Sequence, residues 1–150
     1  SFANSEALLI AAYIHVTERL HTEMTAAGEA ERGAARTAGV LTLYFTRLQE
    51  NPHPARVFLL EMNGIGPAVD AVRMDAMKRM SAVLLPGAAD VAASEPMPLA
   101  FIDTMGEVVS IARRWFAQGY QQPIGEVIAT AAQLCRVALS ESEPNKKIRA

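Results

Sequence analysis

The chain has 150 residues, of which 51% are hydrophobic, and a formal net charge of -2. This length is sufficient for one domain to bury a core without disulfides or structural metal. The charge supplies no basic surface for nucleic acid, no apolar run reaches the roughly 20 residues that span a bilayer, and the single cysteine, Cys135, permits no disulfide within the chain. We therefore expect a cytoplasmic protein that does not enter a membrane.

Helices dominate the predicted secondary structure, because aromatic residues make up only 6% of a chain rich in alanine, leucine, valine and methionine. The first helix is predicted to begin at Asn4, with Asn4 or Ser5 as its N-terminal cap, and to end near Gly28. Its inward face, read from the helical spacing of apolar positions, comprises Leu8, Leu9, Ala12, Tyr13, Val16, Leu20 and Met24.

The second and third helices are predicted on either side of Asn51-Pro52. A regular apolar stripe defines the inward face of the second: Thr37, Val40, Leu41, Tyr44, Phe45 and Leu48. The third covers 55–64, which is apolar on nearly every side, so we expect it to lie inside the other helices.

Pro67 is predicted to open a fourth helix that ends at Pro86-Gly87, and 86–98 is predicted to be a long loop. The inward face of the fourth helix comprises Val69, Val72, Ala76, Met80, Val83 and Leu84.

The last two helices carry wide apolar stripes; the fifth is terminated by Gly119 and the sixth begins at Pro123. Gly106 and Gly125 lie inside them, where each costs about 1 kcal/mol relative to alanine. Close approach of another helix would offset that cost, so we expect a dimer built from these two helices. The sequence thus predicts an all-α fold of six helices, with one domain over 1–140 and a flexible polar tail over 141–150.

Two glycines, Gly64 and Gly66, precede Pro67 and could be part of a phosphate-binding loop. Such a loop requires a preceding strand and a terminal Gly-Lys-Ser/Thr, and neither is present. The pattern instead favours a glycine that ends one helix and a proline that opens the next.

Glu61 is the most informative polar residue, because a carboxylate inside a buried helix must be paired, hydrogen-bonded or protonated. Pairing with an arginine or a helix N-terminus, or a role as a polar anchor for a ligand, both fit the sequence. Catalysis would need a second polar group that the sequence does not identify.

No other residue type forms a chemical motif. His15 and His21 are six residues apart on one helix and do not share a face for a metal ion, while Cys135 lies on an apolar stripe. We therefore predict no metal, no cofactor and no enzymatic activity.

Three segments, in this order and spacing, resemble the regulatory domain of the TetR family of bacterial transcriptional regulators. The first, SFANSEALLIAAYIHVTERL, resembles the junction that leads from the DNA-binding domain into the regulatory domain. The second, YFTRLQENPHPARVFLLEMNGIGPAV, resembles the turn, acidic buried helix and glycine break that follow. The third, PLAFIDTMGEVVSIARRWFAQGYQQPIGEVIATAAQLCRVAL, is similar to the last two helices of the family.

The resemblance implies the effector-sensing and dimerisation domain of a TetR-like repressor, whose ligand occupies an internal apolar cavity and releases DNA. Residues 1–6 would then be the remnant of a junction to an N-terminal helix-turn-helix that this chain does not include, and DNA would bind only through that domain. Ser5 stands where the family usually has a lysine able to contact a DNA phosphate.

The implied effector is small and apolar or amphipathic. Helical phase suggests a cavity lined by Tyr13, Phe45, Leu48, Phe58, Met62, Met77, Phe101 and Met105, with Glu61 and Asn63 as polar anchors. The pattern alone favours an ordinary core over a ligand cavity. The implied homodimer is a four-helix bundle whose interface comprises Val109, Ala112, Phe116, Ile128, Ala131, Leu134 and Cys135.

Two alternatives remain open on the sequence. One is a small all-helical enzyme that uses Glu61 as its acid or base. The other is a dimerising helical scaffold without any cavity.

Overall fold

A computed structural model describes residues 2–61, 65–85 and 99–141. Within these ranges the chain is all-α, as predicted, with six helices and no strand. We number the helices as α1 (Phe2–Glu29), α2 (Gly33–Glu50), α3 (Pro52–Arg56), α4 (Pro67–Leu84), α5 (Leu99–Ala117) and α6 (Ile124–Glu141). The predicted loop at 86–98 and most of the predicted tail lie outside the described residues.

The helices pack around one core. The long α1 lies against α2, α4 and the segment that follows α3, while α2 also contacts α6, and α5 packs between α4 and α6. The stripe predicted for α2 is confirmed at all six positions, and the one predicted for α4 is buried at every position except Val72, which is partly buried. Helical periodicity therefore identified the faces that meet in the core.

The start of α1 differs from the prediction. The helix begins at Phe2, so Asn4 and Ser5 lie within it and do not cap it. Leu8 was predicted to face inward but is 71% exposed, whereas Tyr13 and Met24 are each 1% exposed. Leu9 and Ile10 are partly buried against the core, and the first fully buried side chain of α1 is that of Tyr13.

A π-helical turn, Val57–Glu61, continues α3. Further on, Gly66 precedes α4 with φ of 151°, a conformation that favours glycine, and Pro67 occupies the first turn of the helix. The prediction that Pro67 opens a helix is confirmed.

The turn after α5 ties that helix to α2. Gly119 (φ 67°) and Tyr120 (φ 59°) both adopt the left-handed conformation and end the helix, as predicted for Gly119. The indole Nε1 of Trp115 donates to the carbonyl of Gln122 at 2.8 Å, and the Tyr120 hydroxyl donates to the carbonyl of Leu48 at 3.0 Å. The Leu48 carbonyl lies in the last turn of α2, where carbonyl groups accept no hydrogen bond from within the helix. The hydroxyl of Tyr120 supplies this missing hydrogen bond.

Candidate functional site

The region predicted to be an internal cavity is a packed aromatic cluster beneath α1. Tyr13 stacks on Phe58 with ring centroids 6.1 Å apart, and Tyr44 meets Phe58 and Phe45 edge to face at 6.1 and 5.0 Å. Phe45 continues the cluster to Trp115 at 5.8 Å. These separations are those of favourable aromatic pairs, so the rings fill the space between α1 and α5.

The other predicted cavity residues join the same core. Phe101 and Met105 are 2% and 0% exposed, and Met77 is partly buried against the core. Met62 and Asn63 lie outside the described residues. Of the predicted residues that the structure describes, only Leu48 also lines a surface groove between α1, α2 and α3.

Glu61 is not buried, and the prediction on this point is wrong. Its side chain is 42% exposed and lies 3.8 Å from the Nε of Arg56. The hydrogen bonds of a π-helix join residue i to residue i+5, so two residues five positions apart lie on nearly the same face. In an α-helix they do not. The π-helical turn therefore places Glu61 at the surface and next to Arg56. An arginine was one of the two structural partners predicted from the sequence.

The aromatic cluster contains one polar group without a partner. Tyr44 is fully buried, and its hydroxyl has no hydrogen-bond partner among the described residues. Burial raises the pKa of Tyr44 well above its ordinary value and raises the pKa of Tyr13 to about 12. Both phenols are therefore neutral at physiological pH.

A groove of about 450 Å³ opens at the surface where α1 meets α2 and α3. We call it the α1–α2 groove. This volume lies in the range of small-molecule sites. Its floor is apolar and consists of Val16, Leu20, Leu48 and Ala55.

Charged residues form the rim of the α1–α2 groove. The carboxylate of Glu23 on α1 accepts hydrogen bonds from the Nε of Arg19, at 3.3 Å, and from the Nε of Arg47 on α2. Arg47 also donates from Nη1 to Glu50 at 3.2 Å. His15 lies on the same rim. The network joins α1 to α2 across the groove.

The rim is balanced in formal charge but rich in donors. Two guanidinium groups, of Arg19 and Arg47, face two carboxylates, of Glu23 and Glu50. The hydrogen bond from Arg47 lowers the pKa of the Glu23 carboxyl, which keeps it ionised. The terminal nitrogens of Arg19 make no hydrogen bond to any described residue, and such a guanidinium can offer several N–H groups to a ligand.

The residues predicted for a dimer interface divide into two groups. Val109, Ala112, Ala131 and Cys135 are between 0% and 6% exposed within the single chain. They belong to the core of the single chain, which covers more of the two stripes than expected. Their place in a dimer interface stays a prediction. The remaining three, Phe116, Ile128 and Leu134, are partly buried at the margins of that core.

Sequence reasoning missed the rim of the groove. Arg19 and Glu23 lie four residues apart, a spacing that indicates an ion pair on one helix. The partner from α2, Arg47, is 24 residues further along the chain, and no local pattern points to it.

Among the described residues, no group of three or more histidine, cysteine or acidic side chains is arranged to hold a metal ion. No helix in the same part of the chain is long and apolar enough to cross a bilayer. Comparisons with protein-family models, with curated proteins and with solved structures each returned no match.

Proposed function

We propose that this chain is the effector-sensing and dimerisation domain of a TetR-like transcriptional repressor. The observation that carries the proposal is the position of the α1–α2 groove, whose floor and rim combine residues of α1 with residues of α2 and α3. A molecule in this groove would contact α1 directly. By the resemblance, α1 is the helix that continues toward the DNA-binding domain.

The packing of α1 supports such a coupling. From Tyr13 onward α1 has fully buried side chains, whereas nearer its start Leu9 and Ile10 are only partly buried and Leu8 is 71% exposed. A helix that is anchored in one half can transmit a tilt to the other. The two DNA-binding domains of such a dimer must lie about 34 to 36 Å apart to enter successive major grooves of DNA. A small tilt of α1 would therefore disturb their spacing. A coupling of about 1 to 3 kcal/mol would change DNA affinity roughly 5- to 150-fold.

The dimerisation half of the proposal is supported by one flank of α6. Gly125, Ile128, Ala132 and Leu139 recur at a spacing close to that of a coiled-coil seam. A Cβ added at Gly125 would meet nothing within 4 Å, so packing within the described chain does not explain the glycine. A second copy on this flank would.

The test is to read the coding sequence upstream of Ser1 and to express the longer protein. We expect a helix-turn-helix there and DNA binding that weakens when a compound stabilising the domain is added. A compound at about 100 times its dissociation constant adds roughly 2.7 kcal/mol to the stability, so a thermal-shift screen with lipophilic compounds can identify one. DNA binding that no stabilising compound alters would contradict the proposal.

The enzyme alternative loses its main support in the structure, since Glu61 is exposed and its described charged neighbour is Arg56. Glu61→Gln provides the test that separates the two functions. The enzyme alternative predicts that this variant folds but loses a pH-dependent activity. The sensor proposal predicts that it folds and loses no such activity.

A further inference from the structure

The α1–α2 groove has a chemical character that indicates which kind of molecule it takes. The floor offers apolar side chains from three helices, and the rim offers unused N–H donors. Arg19 uses its Nε for Glu23, and Arg47 uses its Nε for Glu23 and its Nη1 for Glu50. The other guanidinium nitrogens have no partner among the described residues.

The rim is unfavourable for a charged ligand. Arg19 and Arg47 are already paired with Glu23 and Glu50, so a carboxylate that gave up part of its hydration at this half-exposed rim would meet no net positive charge in return. A cation would compete with Arg19 and Arg47 for the same carboxylates. A neutral carbonyl oxygen avoids both costs and still accepts hydrogen bonds from charged donors, which are stronger than those between neutral groups.

We propose that the α1–α2 groove binds a neutral amphipathic molecule, with its alkyl body on Val16, Leu20 and Leu48 and a carbonyl oxygen hydrogen-bonded by Arg19 and Arg47. This inference rests on the proposed function only in taking the molecule to be the effector. Binding itself does not depend on DNA or on a second copy of the chain.

The probes are methyl octanoate and octanoate, which share an acyl chain but differ in charge at neutral pH. Their binding to the full chain is measured by ligand-observed NMR titration. We expect saturable binding of the ester and binding of octanoate that is weaker by about tenfold or more, the factor that corresponds to roughly 1.4 kcal/mol. Octanoate that binds as tightly as the ester would overturn the assignment, as would the lack of saturable ester binding.

Two pairs of variants locate the site. Val16→Phe places a larger side chain on the floor of the groove, and Val137→Phe makes the same change on the 46% exposed Val137 of α6. Only the first should abolish ester binding. If Val16→Phe remains folded by circular dichroism and binds the ester normally, the molecule lies elsewhere and the proposal is wrong.

Arg19→Met removes the donors but keeps an unbranched apolar stem, and Arg32→Met is its control on exposed Arg32 outside the groove. We expect Arg19→Met to weaken ester binding about tenfold, as for the loss of one hydrogen bond to a charged group, and Arg32→Met to leave it unchanged. Equal affinities for the two variants would contradict the role of Arg19.

The two proposals fail in different ways. If methyl octanoate binds in the groove but leaves the DNA affinity of the longer protein unchanged, the sensor function is wrong and the groove assignment stands. If another compound releases DNA while the ester does not bind the wild-type chain, the assignment of ligand class is wrong and the sensor function stands.

Discussion

Glu23 of α1 and Arg47 of α2 form an ion pair across the rim of the α1–α2 groove. The two residues are 24 positions apart in the chain, and their pairing links two helices that both contribute to the groove floor. Movement of α1 relative to α2 would have to break or rearrange this pair.

The pair makes the stability depend on pH in a defined direction. The hydrogen bond from Arg47 lowers the pKa of Glu23 below 4.5, its ordinary value. The stabilisation is therefore complete above that ordinary value and is lost as pH falls through the lower pKa of the folded protein. We expect Glu23→Gln to lower the free energy of unfolding near neutral pH and to flatten its fall below about pH 4.5. Urea unfolding of both proteins across this range measures the effect. Parallel curves for the two proteins would contradict it.

Two tyrosines allow a matched comparison of the same substitution. The Tyr120 hydroxyl donates to the carbonyl of Leu48, whereas the buried Tyr44 hydroxyl has no partner among the described residues. Tyr120→Phe should lower the free energy of unfolding by about 1 kcal/mol, and Tyr44→Phe should leave it unchanged or raise it, because it removes an unsatisfied buried group. Denaturant titration distinguishes them. A larger loss for Tyr44→Phe than for Tyr120→Phe would show that the Tyr44 hydroxyl has a partner.

Cys135 provides a chemical probe of the core. It is fully buried, and burial raises the pKa of its thiol to about 12. Because the thiolate is the reactive form, we expect a disulfide reagent to label the native protein very slowly and the protein in urea at once. Rapid labelling under native conditions would place Cys135 at an accessible surface instead.

The proposed dimer can be tested on the flank of α6. Ile128→Glu introduces a charge among the residues of the seam, and Val137→Glu introduces the same charge on another side of the helix. Sedimentation equilibrium should give a dimer for the wild-type chain and for Val137→Glu, and a monomer for Ile128→Glu. A wild-type monomer, or dissociation by Val137→Glu alone, would contradict this interface.

The helices and their inward faces could be predicted from the sequence because the spacing of apolar residues shows which side of a helix faces the core. The stripe from Thr37 to Leu48 is an example, since all six of its members are buried. The exposure of Glu61 could not be predicted, because the π-helical turn changes the angle between successive residues, and the phase of an α-helix then points to the wrong side.

The candidate site was less predictable than the fold. Tyr13 and Phe45 face inward whether they line a cavity or fill a core, and helical phase is the same in both cases. The structure shows that their rings are packed into the aromatic cluster. The rim of the groove depends on a long-range pair, Glu23 and Arg47, that arises only when α1 and α2 dock.

The most direct test of the sensor proposal is the distance between the two copies of α1 in the dimer, with the groove empty and with it filled. Spin labels at Ser5→Cys in a Cys135→Ala background report this distance by pulsed electron spin resonance. The groove is filled by the substitution Val16→Phe, with Val137→Phe as the matched control. We predict a shifted distance distribution for Val16→Phe alone. Identical distributions in all three proteins, or no distance between copies at all, would contradict the proposal that the groove controls α1.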